Sequence, residues 1–178
     1  MAFPGSASTF RLNLSKPQEH SYSLLPTRRL VTQRRFDLAV KWRLFESFRL
    51  GSSDPDVERL YLWHIAARRN ANRSVGVGMD ANKASDAAYI PAAKALYQSM
   101  VAKGFDPAFP VPVDPNGELL GGAHRVACAL ALKIESIVVE HQERLVWAPA
   151  WGEQWFAQHG LSGEDLERLR QDWLAVSK

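Results

Sequence analysis

The stretch 119-LLGGAHRVACALALKI-134 decides how the chain is read. Two glycines, a histidine and an arginine meet where an extended segment gives way to small apolar residues. Ala127, Cys128, Ala129 and Ala131 suit a helix packed closely on several sides. Upstream, 110-PVPVDPNGEL-119 reads as a hairpin, with Val111 and Val113 alternating into the turn signal DPNG. Successive N–H groups at such a turn and at a helix N-terminus converge, and the helix dipole favours negative charge there. Gly121 and Gly122 permit positive φ and close approach of a ligand to the backbone. Arg125 offers a planar fork for a phosphate, and His124 can donate a hydrogen bond or relay a proton. Residues 121–125, Ala123 included, therefore form a candidate phosphate-binding turn. The competing reading is a tight strand–helix turn with Arg125 bridging to a surface carboxylate, and the residues alone leave both open.

Working outward, an extended segment at 135–141 follows, and a helix through Tyr89, Ala93, Leu96 and Met100 precedes, stopping at Gly104. The expected core, about 84–141, is a helix–strand–strand–helix–strand unit. Helices are predicted on both sides of it: one from Phe36 to Phe48, a second from about 55 to 69 capped by Asp54, and a last from about 163 capped by Ser162. Residues 1–26 are polar, contain three prolines and show no clear period, so an irregular arm is expected. Residues 27–178 are then a single α+β domain, a size that buries roughly 70% of its unfolded surface.

Composition narrows the function. The apolar content of 46% fits a folded domain. One cysteine, Cys128, excludes an internal disulfide framework, and no Cys/His cluster has zinc-ligand spacing, so no metal site is assigned to side chains. No run approaches the ~18 apolar residues that span a bilayer, and the first residues do not resemble a signal peptide, so the expectation is a cytoplasmic protein without membrane insertion. Net charge is +3, from 22 basic and 19 acidic residues. That is too little to announce nucleic-acid binding, although Arg28, Arg29, Arg34, Arg35, Lys41, Arg43 and Arg49 crowd one segment. This cluster reads first as a solvated basic face and second as a site for an anionic ligand or partner, with nucleic-acid binding through it the least favoured reading.

Residues 92–139 resemble the ParB/sulfiredoxin superfamily. The shared pattern is a helix ending S-x-x-x-x-G, then P-V-x-V-D-x-x-G, G-x-H-R-x-x-x-A and a final I-x-V strand. The resemblance implies a small mixed sheet enlarged here by terminal helices, and nucleotide binding at the Gly121–Arg125 turn. ParB-like proteins that accompany bacterial surface-polysaccharide genes are similar too, sharing the trailing W-x-x-x-W-F and the last helix. Departures matter. Where sulfiredoxins carry their reactive cysteine, this chain has Ala123, and a buried Cys128 is inert packing. ParB proteins continue into a helix-turn-helix that has no counterpart here, which argues against a nucleic-acid partner. The turn of a related free-serine kinase, D-G-H-H-R, matches at Gly122, His124 and Arg125, but Gly121 replaces its aspartate and Ala123 its first histidine.

The resemblance implies nucleotide binding, and the first expectation built on it is an ATP-dependent kinase, a phosphotransferase acting on a small hydroxylated metabolite or glycan precursor. ATP or another nucleotide would arrive with Mg2+. A non-catalytic ATP- or CTP-binding module is the alternative. His124 is the first catalytic candidate. Asp114 is the carboxylate nearest in sequence to the missing aspartate, although it also suits the turn's own hydrogen bonding. Arg68, four residues after His64 on one helix face, and Lys83, in the loop 76-GVGMDANK-83, are expected to complete the pocket. His64 itself is expected to pack in the core. Trp147, Trp151, Trp155 and Phe156 suggest a ring platform but pack more naturally as core.

Overall fold

A computed structural model describes residues 21–52, 54–74, 88–143, 150–161 and 163–178, with the side chains of 72–74 excepted. Lys83, Asp80, Trp147 and Ser162 lie outside the described residues.

The architecture is α+β, a small mixed sheet surrounded by helices. In chain order the described elements are β1 (Ser21–Pro26), a 3-10 turn (Thr27–Leu30), α1 (Asp37–Leu50), α2 (Pro55–Ser74), α3 (Tyr89–Lys103), β2 (Val111–Val113), α4 (Ala123–Ala131), β3 (Ser136–His141), α5 (Glu153–Gln158) and α6 (Gly163–Ser177). The sheet order is β1-β3-β2. β1 runs antiparallel to β3, with Leu24 opposite Val138, and β2 runs parallel to β3, with Val111 opposite Val139. A parallel pair needs a crossover, and α4 supplies it. β3 is therefore central, and its Ile137 and Val139 are buried.

The hairpin after β2 is short. Its return arm is a single bridge, Val113 to Leu119, closed by Asp114 N–H to the Glu118 carbonyl at 2.9 Å. Gly117 takes φ +80° there, a value that glycine adopts without strain.

β1 corrects the expectation of an irregular arm up to residue 26. Two of its six residues, Tyr22 and Leu24, are exposed apolar side chains at the sheet edge, so no buried stripe marks the strand in the sequence. α2 begins as expected: Asp54 accepts the Asp56 N–H at 3.0 Å, a helix cap, and Pro55 fills the first position. It then runs to Ser74, beyond the expected end near 69.

α1 is the central helix. It packs on α4, α2, α3 and α6, and Leu38, Ala39, Val40, Leu44 and Phe45 are all buried. α4 meets it with Val126, Ala127, Cys128 and Ala129, none of which has any exposed surface. Small side chains let the two backbones approach, which explains the alanine-rich run. The last helix closes the core with Leu169 and Val176, and Trp173 stacks on Phe36 at 5.9 Å.

Candidate functional site

The turn predicted from the sequence is present at the mouth of α4. Gly122 is the N-terminal cap residue, at φ 74° and ψ 18°. Having no side chain, it leaves the first helical N–H groups without the oxygen that serine or aspartate would provide. A Cβ at Gly122 would stand 3.0 Å from the Arg125 Nη2 atom and 3.4 Å from Val111, and one at Gly121 would stand 3.3 Å from Pro112. Space as well as backbone angle therefore favours glycine at 122.

Arg125 folds back over Gly122. Its Nη1 donates to the carbonyl of Phe109 and, at 3.2 Å, to that of Pro110. The surface carboxylate expected under the competing reading is replaced by backbone oxygens. Arg125 is half-buried, and that burial lowers its pKa.

His124 is oriented from α2. Its Nε2 lies 2.8 Å from the Tyr61 hydroxyl, with the rings edge to face at 5.9 Å. Burial pushes the Tyr61 phenol above its usual range, so it keeps its proton and donates. In neutral His124, Nε2 then accepts and Nδ1 carries the proton. Tyr89, from the start of α3, approaches the same imidazole at 6.5 Å. Arg68 reaches Tyr89, its Nη2 3.5 Å from the hydroxyl and its guanidinium 6.0 Å from the ring centre. Arg68 is thus no freely solvated end charge but joins the rings around His124.

Asp114 serves the hairpin. Its Oδ1 accepts the N–H groups of Asn116 and Glu118, each at 2.8 Å. The nearby Glu118 accepts the Thr32 hydroxyl at 2.8 Å.

The structure adds a cluster that sequence reasoning missed. Arg35 and Lys41, read as parts of a solvated basic face, are 1% and 0% exposed. Between them sits Asp37, also fully buried. Arg35 grips it in a fork, Nε to Oδ1 at 2.8 Å and Nη2 to Oδ2 at 3.0 Å, while Lys41 donates to Oδ2 at 2.6 Å. Lys41 also lies 3.2 Å from His64 Nε2. The remaining Arg35 nitrogen donates to the Leu119 carbonyl at 2.6 Å. A carboxylate is therefore tied, through one arginine, to the residue two positions before the glycine pair.

Burial works against each of these charges. For Asp37 the adjacent Arg35 and Lys41 prevail and hold its carboxyl well below the usual carboxylate range. For Lys41 burial prevails over the attraction of Asp37 and brings the ammonium down to about 8. Burial, and after it Lys41, depresses His64 as well, so its imidazole is neutral. Trp151 lies against the cluster, its ring centre 5.3 Å from the Arg35 guanidinium, 6.0 Å from the Lys41 nitrogen and 5.7 Å from the Arg68 guanidinium. His64 is in the core as expected, stacked on Phe156 at 5.2 Å, but it is bonded to an ion cluster rather than merely packed.

Cys128 is fully buried, and burial pushes its thiol up to about 12. A thiol so held is a poor nucleophile. Among the described residues no helix is long and apolar enough to cross a membrane, and no group of three His, Cys, Asp or Glu could hold a metal ion.

Comparison with protein-family profiles, with curated proteins and with solved structures finds no match to this chain.

Proposed function

We propose that the chain binds a nucleotide at the mouth of α4 and, with ATP as donor, transfers a phosphoryl group to a small hydroxylated metabolite. The observation that carries the reading is the arrangement at that mouth. A left-handed glycine opens the helix, and a histidine is held beside it by a buried tyrosine that makes Nδ1 its donating nitrogen. The resemblance of residues 92–139 to ParB/sulfiredoxin proteins supports the same reading. Phosphoryl transfer needs positioning and neutralisation of charge more than covalent help from the protein. The N–H groups of α4, its dipole and the His124 imidazole supply both at one place.

Mg2+ has no cage of its own among the described residues. Asp37 is gripped by two cations, Asp114 braces the turn and Glu118 accepts from Thr32. Magnesium fits only as the nucleotide's own companion, held by phosphates and water, and no residue is assigned to it.

A second reading, a nucleotide-binding module without catalysis, is favoured by the engagement of Asp114 in the hairpin, which leaves no carboxylate placed as a base among the described residues. Two measurements separate the readings. Thermal shift with ATP, ADP and CTP plus magnesium tests binding; ligand at ~100 times its dissociation constant adds about 2.7 kcal/mol. ATP consumption in the presence of hydroxylated metabolites tests transfer. Stabilisation by a nucleotide together with substrate-dependent ADP release supports the kinase. Stabilisation without turnover supports the module, and no stabilisation at millimolar nucleotide refutes both.

A further inference from the structure

Three cations, Arg35, Lys41 and Arg68, surround the Trp151 ring, and Asp37 is the only carboxylate bonded to any of them among the described residues. With Lys41 protonated the sum is three positive charges and one negative, or +2. Buried charges persist where they are paired or bind a ligand. Each Arg35 nitrogen has a partner, Asp37 or the Leu119 carbonyl, and Lys41 is held by Asp37 and His64. Arg68 is different. It has five N–H donors, and the polar contact described for it is a 3.5 Å approach to the Tyr89 hydroxyl.

A second, independent observation lies one helical turn away. Protonated Lys41 is a donor only, so His64 Nε2 must accept from it and the imidazole proton sits on Nδ1. Among the described residues that Nδ1 is the buried polar side-chain atom left without a hydrogen-bond partner, and His64 has no exposed surface. An orphaned buried donor costs about 1–3 kcal/mol and calls for an explanation. His64 and Arg68 are i and i+4 on α2, on one face of the helix. Trp151 and Arg68 are themselves only half-buried, so the cluster lies one side chain beneath the surface.

We propose that the cluster beneath Trp151 is a second ligand site, in which Arg68 and His64 Nδ1 hold an oxyanion, carboxylate or phosphate, carried by the acceptor substrate. The assignment rests on the phosphotransferase reading and narrows it to an acidic hydroxylated metabolite. An oxyanion answers both observations, supplying negative charge to the cations and an acceptor to Nδ1. A neutral hydroxyl would satisfy Nδ1 and leave the charge. The placement suits an acceptor, because Tyr61, one turn before His64 on the same helix, bonds His124 at the nucleotide turn. The two ligands would then meet along one face of α2.

The test is thermal shift on the whole chain with inorganic phosphate and, separately, with lactate, each against sodium chloride of equal ionic strength. Parent and Arg68→Met proteins are compared, because phosphate also stabilises proteins non-specifically. The proposal expects at least one anion to stabilise the parent saturably, and to do so on top of saturating MgATP. It expects Arg68→Met to bind that anion at least tenfold more weakly while melting, without anion, no lower than the parent, since the change removes an uncompensated charge. Phosphate active alone identifies a phosphorylated acceptor, and lactate active alone identifies a carboxylate. Equal anion responses in both proteins overturn the proposal, as does a markedly lower melting point of anion-free Arg68→Met, which would make Arg68 structural. An anion effect abolished by MgATP also overturns it. If MgATP leaves the parent's stability unchanged, the nucleotide reading fails instead.

Discussion

Replacing Asp37 by asparagine removes the negative charge at the centre of the buried cluster while preserving side-chain size. Asp37 accepts three hydrogen bonds from two cations at 2.6–3.0 Å, and all three side chains are within 1% of complete burial. Hydrogen bonds to charged groups are worth about 1.5–3 kcal/mol each, but these act on one carboxylate and do not add. The better guide is the cost of stranding a buried partner, about 3–5 kcal/mol. Two cations are stranded here, which places the expected loss at the upper end of that range. Against a total stability of about 5–15 kcal/mol the loss is large, and at roughly 2–4 °C per kcal/mol a loss near the upper end of about 5 kcal/mol lowers Tm by about 10–20 °C. Urea unfolding followed by tryptophan fluorescence measures it, with Glu164→Gln as the control. Glu164 pairs with Arg168 in the open, and its replacement should barely move the midpoint. An Asp37→Asn midpoint shifted no more than the control's would refute the claim that this cluster is a tightly coupled interior network.

Three further expectations are quickly tested. The Lys41 ammonium titrates at about 8 in the fold against an ordinary 10.5, so between those values the unfolded chain binds more protons; stability to urea should rise from pH 8 to 10.5 in the parent and stay level in Lys41→Met. The Asp37 carboxyl is depressed, so its contribution is complete above about pH 5 and is lost as pH falls through 4 and below, which acid titration of the same unfolding curve will show. Tyr61→Phe should cost about 0.5–1.5 kcal/mol by urea unfolding and release the His124 tautomer, visible in imidazole nitrogen NMR, whereas an unchanged tautomer would show that the hydroxyl does not set it.

What the sequence disclosed, and what it withheld, follows from how each residue signals its neighbours. The turn, α4 and β3 were legible because glycine pairs, DPNG and a run of small apolar residues are local features with local causes. β1 was not, because the residues of SYSLLP at the sheet edge lack the alternation that burial imposes. The α1 helix was legible, but Asp37 and Lys41 lie on the same buried stripe as Leu44 and Phe45, and Lys41 was counted in the solvated basic face. Their i, i+4 spacing inside an apolar face was the available clue. Arg35 could not be placed at all, since its partners, Asp37 apart, are the distant Leu119 carbonyl and Trp151. At the candidate site His124 was singled out, but Tyr61, the residue that orients it, comes 63 positions earlier, and no local pattern ties the two together.

The most direct test of the central claim is an NMR titration of the isotope-labelled protein with MgATP, following the backbone amides of Gly122, Ala123, His124 and Arg125. A phosphate seated at the mouth of α4 should shift these amides saturably and together, ahead of those in α6. Saturable shifts confined to other elements, or none at millimolar nucleotide, would contradict it.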